Sequence, residues 1–201
     1  MLTRCVGPAR YRERPGPRSS EWEGPFVETR VRQAATADVA GVAKVHVATW
    51  QAAYRSVLPD AYLDGLTPER SQVGWERVVA ASSEVSRSTI LVAAAKPGEV
   101  VGFVHSRSSR DDDADPLHVG EVVAIYVLPS AWSTGVGRQL MTAAEEWLRV
   151  NDFSEATLWV LRDNQRARRF YEAAGWAADG GVKEDAIGDA PVHEVRYRRS
   201  L

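Results

Sequence analysis

The stretch Val127-Leu128-Pro129-Ser130-Ala131-Trp132-Ser133-Thr134-Gly135-Val136-Gly137-Arg138-Gln139-Leu140 constrains this chain more than any other. A strand-like run ends at a proline turn. A short loop then presents Ser133, Thr134, Gly135 and Gly137, and a helical stripe follows, with Val136, Leu140, Ala143, Ala144 and Trp147 recurring at steps of three and four. The first backbone N–H groups of such a helix lack partners, glycine lets a ligand approach the main chain, and the helix dipole adds roughly 0.3–1 kcal/mol per nearby negative group. The pattern describes an anion site at a strand-to-helix junction; a tight turn that needs glycine for backbone reasons is the alternative. Arg138 opposes the dipole, a cost that makes sense if it also meets a phosphate. The dinucleotide fingerprint lacks its third glycine, because Leu140 stands there, and no acidic residue supplies the ribose contact. The mononucleotide loop is absent, so a pyrophosphate carried by something other than a nicotinamide or ATP is left.

Around this junction the pattern alternates between strand and helix. Phe26 to Arg32 alternates like a strand, and Thr36-Ala37-Asp38 opens a helix with Val39, Val42, Ala43 and Val47 on one side. Trp50 to Leu66 is helix-compatible, broken at Pro59, and Pro68 to about Ala81 is a further helix. Strands at Thr89–Ala94 and Val100–Ser106 join at Pro97-Gly98, and an acidic loop, Asp111 to Pro116, leads into a strand from Val119 to Leu128. Later, Asp163 reads as the cap of a helix whose stripe is Ala167, Phe170, Tyr171 and Ala174, closed by Gly175 as a left-handed C′ residue.

Composition narrows the partners. With 25 Lys+Arg against 27 Asp+Glu, the net charge of −2 builds no field for nucleic acid or an anionic membrane surface. Residues 1–25, with Arg4, Arg10, Arg12, Arg14 and Arg18 among four prolines, read as a flexible basic tail, so the domain at 26–201 is more acidic than the whole chain. One cysteine and four scattered histidines, at 46, 105, 118 and 193, offer neither a disulfide framework nor metal-ligand spacing. No apolar run reaches the ~18 residues that span a bilayer, so a cytoplasmic chain without a metal is the expectation.

Two motifs carry a family resemblance. Trp132-Ser133-Thr134-Gly135-Val136-Gly137 is similar to the acetyl-CoA loop, [RQ]-x-x-G-x-[GA], of the GNAT N-acetyltransferases. Asn164 to Trp176, NQRARRFYEAAGW, resembles that family's N-x-x-A-x-x-[FL]-Y-x-x-x-G-[FW], in the right order about thirty residues on. The resemblance covers roughly Phe26 to Leu201. It implies a single α/β domain: a mixed, mostly antiparallel twisted sheet of about six to seven strands flanked by helices. One departure is Trp132, which stands where the family has Arg or Gln.

Acetyl-CoA is the cosubstrate the resemblance implies. Its binding residues are then Ile125, Tyr126 and Val127, whose backbone pairs with the pantetheine arm; Trp132, Ser133, Thr134, Gly135, Val136, Gly137 and Arg138 of the loop; and Asn164, Ala167 and Tyr171 of the second motif. Capping of its own helix is the other reading of Asn164. Attack on a thioester needs a neutral amine, and an alkyl ammonium such as that of lysine titrates near 10.4, so a base or water relay is required. Glu121 resembles the position where several members place a catalytic carboxylate, with His118 and His105 as runners-up. The departing thiolate needs a proton, which a phenol can supply, and the resemblance sets Tyr171 beside the cofactor sulfur. Trp50 and Tyr54, with Tyr62, are the expected acceptor wall; aromatic core is the alternative. The expected acceptor is a small-molecule amine or a protein amino group, and a homodimer is an allowed assembly. A catalytically silent acyl-CoA-binding module is the rival reading, with Trp132 as its warning sign.

Overall fold

In the computed structural model, which describes residues 29–84, 87–96 and 98–201, the chain opens with β1 (Arg30–Gln33) and a 3-10 turn (Thr36–Asp38). There follow α1 (Val39–Ala53), α2 (Asp60–Asp64), α3 (Pro68–Glu84), β2 (Ser88–Lys96), β3 (Glu99–Ser108) and β4 (Val119–Val127). Then come α4 (Val136–Val150), β5 (Glu155–Leu161), α5 (Gln165–Ala173), β6 (Ala177–Ile187) and β7 (Ala190–Ser200). The expected tail at residues 1–25 and the first residues of the expected opening strand lie outside the described residues.

One seven-stranded sheet runs β1-β2-β3-β4-β5-β7-β6, the mixed, mostly antiparallel architecture expected. Only β4 and β5 are parallel neighbours, and their ladder is short: Val119, Gly120 and Glu121 pair with Glu155, Ala156 and Thr157. Beyond Glu121 the two strands share no pairing, although β4 runs on to Val127 and β5 to Leu161. Part of the cause lies one residue further along. The register with β3 passes from Ser106↔Val122 to His105↔Ala124, which inserts Val123 as a bulge, and a bulge bends its strand. The sheet is thereby split open at its centre.

Apolar side chains cover both faces. Val136, Leu140, Ala144 and Leu148 of α4 pack on Leu91, Val104, Val122 and Leu158. Val39, Val42 and Val45 of α1 with Val79 of α3 pack on Ile90, Val92 and Phe103 of the other face. A smaller cluster, Leu58, Leu63, Leu161 and Val192, joins α2 to the ends of β5 and β7, with Trp50, Tyr54 and Tyr62 against it.

Two local expectations need correction. The helix through Trp50 ends at Ala53, ahead of Pro59, because the chain turns at Tyr54, whose carbonyl accepts from the N–H groups of Val57 and Leu58, and this turn sends Leu58 into the third cluster. Leu58 also precedes a proline, a position that disfavours helical backbone. Asn164, and not Asp163, caps α5: its Oδ1 accepts from the Ala167 N–H at 3.1 Å. Gly175 adopts φ 85° after the last turn, the left-handed C′ conformation expected.

Candidate active site

The glycine loop closes against α4 in the way its sequence asks. Ser133 (φ 61°) and Gly135 (φ 90°) are both left-handed, flanking Thr134, whose Oγ1 donates to the Ala131 carbonyl at 2.7 Å. Gly135 is the N-cap of α4 and has no side chain to cap it. Among the described residues no acceptor meets the backbone N–H groups from Ser133 to Arg138. Such a concave run of N–H groups at a helix start is an anion cradle. Arg138 is exposed at its rim.

Trp132 is accounted for by its contacts. Its indole N–H donates to the Val127 carbonyl at 2.7 Å, tying the loop to the end of β4, and the Arg166 guanidinium lies 4.1 Å over its ring. A cation from α5 therefore sits beside the loop, held by an aromatic face where the family motif carries a polar side chain. Arg168 is committed elsewhere, donating to the Tyr197 hydroxyl and the Arg162 carbonyl.

The split in the sheet leaves β4 with a free edge. Leu128 N–H donates to the Val101 carbonyl, so ladder alternation turns Tyr126 toward β3 and turns the backbone groups of Ile125 and Val127 into the split. The Val127 carbonyl is taken there by Trp132 and by the Thr49 hydroxyl at 3.0 Å, which leaves the N–H groups of Ile125 and Val127 and the Ile125 carbonyl for an added strand.

Hydroxyls gather around this edge. Tyr171 of α5 is buried and its hydroxyl makes no hydrogen bond among the described residues. Burial, then the nearby Tyr54, raises its pKa well above the usual phenol range, so it stays protonated at working pH. Burial likewise raises Tyr126 and Tyr54; Asn164 beside the Tyr54 hydroxyl works against the rise. Trp50 stacks edge-on against Tyr54 at 5.1 Å, and its buried indole N–H lies by the Tyr126 hydroxyl without reaching hydrogen-bonding geometry. Trp50, Tyr54, Asn164 and Tyr171, separated by more than a hundred residues in sequence, thus face one place.

Glu121 sits at the closed end of the split and is buried. Its Oε2 accepts from Arg107 Nε and Nη2, both at 3.2 Å, with Arg110 at 3.7 Å, while Oε1 accepts no hydrogen bond from the described residues. An open cleft of about 630 Å³ begins here, lined by Glu121 with Trp159, Lys183, Asp111, Asp113 and Arg196. Its carboxylates are largely engaged: Arg196 bridges Asp111 and Asp113, and Asp111 also accepts from Trp159 Nε1 at 2.9 Å. Of the histidine runners-up, His118 is exposed and paired with Asp115, and His105 is buried on β3 near Ser88 Oγ.

His46, which no motif singled out, lies among Trp50, Trp75 and Tyr126 with its Nδ1 2.8 Å from Ser71 Oγ. Burial pulls both His46 and His105 down to about 4; Arg107 and Arg110 add to the effect at His105. A histidine near 6.5 in the unfolded chain takes up protons that the fold refuses, so stability is full above pH 6.5 and falls as pH drops from 6.5 toward 4. Urea unfolding midpoints are expected to decline across that window, and the decline is expected to be shallower in His46→Gln; an equal slope in both proteins removes His46 as a cause.

Among the described residues no helix is long and apolar enough to cross a membrane. The chain is 32% identical over 145 residues to the uncharacterized N-acetyltransferase YuaI of Bacillus subtilis, covering 71% of this chain and 77% of that one. It is 31% identical over 121 residues to an aminoglycoside N(6′)-acetyltransferase type 1 of Stenotrophomonas maltophilia, covering 59% and 67%. The fold matches the crystal structure of the PaiA N-acetyltransferase of Thermoplasma acidophilum in complex with coenzyme A, with a TM-score of 0.69 at 17% identity over 86% of this chain and 99% of that one. The profile of the acetyltransferase (GNAT) family matches residues 49–176, a span that runs from the aromatic wall of α1 through the glycine loop to Trp176. With the split sheet, the glycine-capped α4 and both motifs in place, the chain belongs to the GNAT acetyltransferase family.

Proposed function

We propose that this protein transfers an acetyl group from acetyl-CoA to a primary amine by direct attack of the amine on the thioester. The observation that carries the reading is the meeting, at one split in the sheet, of an unpaired strand edge, a glycine-capped helix start and a buried tyrosine whose hydroxyl makes no hydrogen bond among the described residues. Each fits a different part of acetyl-CoA. The N–H groups from Ser133 to Arg138 suit the pyrophosphate, with Arg166 adding charge through its seat on Trp132. Ile125 and Val127 suit the amide-bearing pantetheine arm, in the manner of an added strand. Acetyl-CoA supplies the activated carbonyl and a thiolate leaving group.

This chain's residues handle the protons. Tyr171 keeps its proton at working pH and gives it to the departing sulfur. Glu121 takes the amine's proton through water at Oε1, the oxygen that Arg107 leaves free, while Arg107 fixes the carboxylate's orientation. Placement of amine and thioester in one split replaces a bimolecular encounter. Relatives act on amines of this sort, the aminoglycoside enzyme among them.

A coupled thiol-release assay against a panel of amines, with acetyl-CoA saturating, tests the reading. Amine-dependent release of CoA is expected; tight acetyl-CoA binding without turnover of any amine would sink it in favour of a catalytically silent acyl-CoA-binding module.

A further inference from the structure

The acceptor side of the site holds an ammonium already. Lys183 of β6 reaches across to Glu194 of β7, with Nζ 2.9 Å from Oε2, and the same Nζ lies 4.5 Å over the ring of Trp159. A carboxylate beside an aromatic face is the chemistry that recognises a primary ammonium.

The pair sits at the reacting end of the sheet. Glu194 stands opposite Leu161, the last residue of β5, where β4 and β5 are furthest past their shared ladder. Its charge acts on the Tyr54 and Tyr126 hydroxyls, the latter on the strand with the free edge. Glu121 lines the same cleft as Trp159 and Lys183, at its closed end under Arg107, within reach of an amine held over Trp159 through water.

Exchangeability separates this pair from its neighbours. Arg196 is pinned by Asp113 through two hydrogen bonds and by Asp111 and Asp179, and its side chain is 10% exposed. Lys183 makes one ionic contact from a flexible side chain that is 42% exposed, whereas the Glu194 side chain is 18% exposed. The ammonium can leave for water; the carboxylate cannot. Alongside, Trp50, Tyr54, Leu161 and Val192 form an apolar flank.

We infer that Glu194 is the anchor for the acceptor's ammonium and that Lys183 holds its place in the free protein, so the acceptor is a primary amine whose single ammonium is carried on an apolar or aromatic body. The entering ammonium displaces Lys183 from Glu194 and settles over Trp159, with its body against Trp50 and Tyr54. The inference rests on the acetyltransferase reading above and adds to it the acceptor class and the residue that selects it. A cross-strand ion pair that only braces the β6–β7 hairpin is the competing account, since Lys183 and Glu194 are register partners.

Steady-state kinetics with phenethylamine as acceptor distinguish the two. Glu194→Gln is expected to raise the KM for phenethylamine roughly 10- to 100-fold, the loss of a charge-assisted contact, with the KM for acetyl-CoA unchanged. Lys183→Met, which keeps the stem and removes the internal competitor, is expected to lower the phenethylamine KM several-fold. A lower melting temperature in both variants with neither KM moved would leave only the brace and overturn the inference while the acetyltransferase reading stands. If the unmodified chain turns over no amine, that reading fails by itself. Calorimetric binding of phenethylamine then decides the inference, which requires a weaker Kd in Glu194→Gln and a tighter one in Lys183→Met; any other order overturns it.

Discussion

Tyr171→Phe is expected to lower kcat roughly 10²- to 10⁴-fold, the range removed with a general acid, while the protein stays folded. Its hydroxyl makes no hydrogen bond among the described residues, so phenylalanine breaks no protein contact, and the ring keeps its edge-on neighbour Phe170 at 5.4 Å. Stability and acetyl-CoA affinity should therefore hold while the chemical step slows. Because burial raises the Tyr171 pKa, the proton is present throughout the neutral and mildly alkaline range, and kcat in the parent protein should show no loss from tyrosine ionisation below about pH 10. An unchanged kcat in Tyr171→Phe from pH 6 to 10 would remove Tyr171 from the mechanism.

The second large effect belongs to cofactor binding. Gly135→Val is expected to weaken acetyl-CoA binding by about 100-fold or more in a calorimetric titration. Gly135 holds φ 90°, where an L-residue pays roughly 1–2 kcal/mol and a β-branched one more, so the loop must re-form and re-aim its N–H groups. Gly137 is the internal control: a Cβ there meets the Phe170 ring at 3.4 Å, ordinary contact, and its backbone is helical, so Gly137→Ala should bind far more nearly as the parent does. Equal losses at 135 and 137 would show that bulk, and not left-handed backbone, governs the loop.

Much of the fold is legible because its signals are local. The three-and-four stripe from Val136 to Trp147 becomes α4 with Leu140, Ala144 and Leu148 fully buried, and Gly98, at φ 79°, stands where β2 gives way to β3, while Pro97 lies outside the described residues. Capping was legible in kind and displaced by one residue, since Asp163 and Asn164 both suit a cap and only the chain's path decides which oxygen reaches the Ala167 N–H. The helix through Trp50 was overrun because nothing local marks Tyr54 as its end; the need to seat Leu58 beside Leu161 and Val192 does.

The site divides in the same way. Gly135 and the N–H cradle follow from residues adjacent in the chain, as does the α5 motif that carries Tyr171. Arg166 on Trp132 and Lys183 on Trp159 carry no local signature, because each joins elements distant in the chain, and the pairing of Lys183 with Glu194 depends on the register of the β6–β7 hairpin. By itself the sequence determined the elements, the glycine loop and the family, since periodicity, turn chemistry and motif spacing are properties of neighbouring residues. Only the tertiary structure decided that β4 and β5 part after Glu121, that the Val127 carbonyl is already taken, and that Lys183 and Glu194 pair beside Trp159: strand register and a bulge at Val123 set these, and register is settled by packing across the whole sheet.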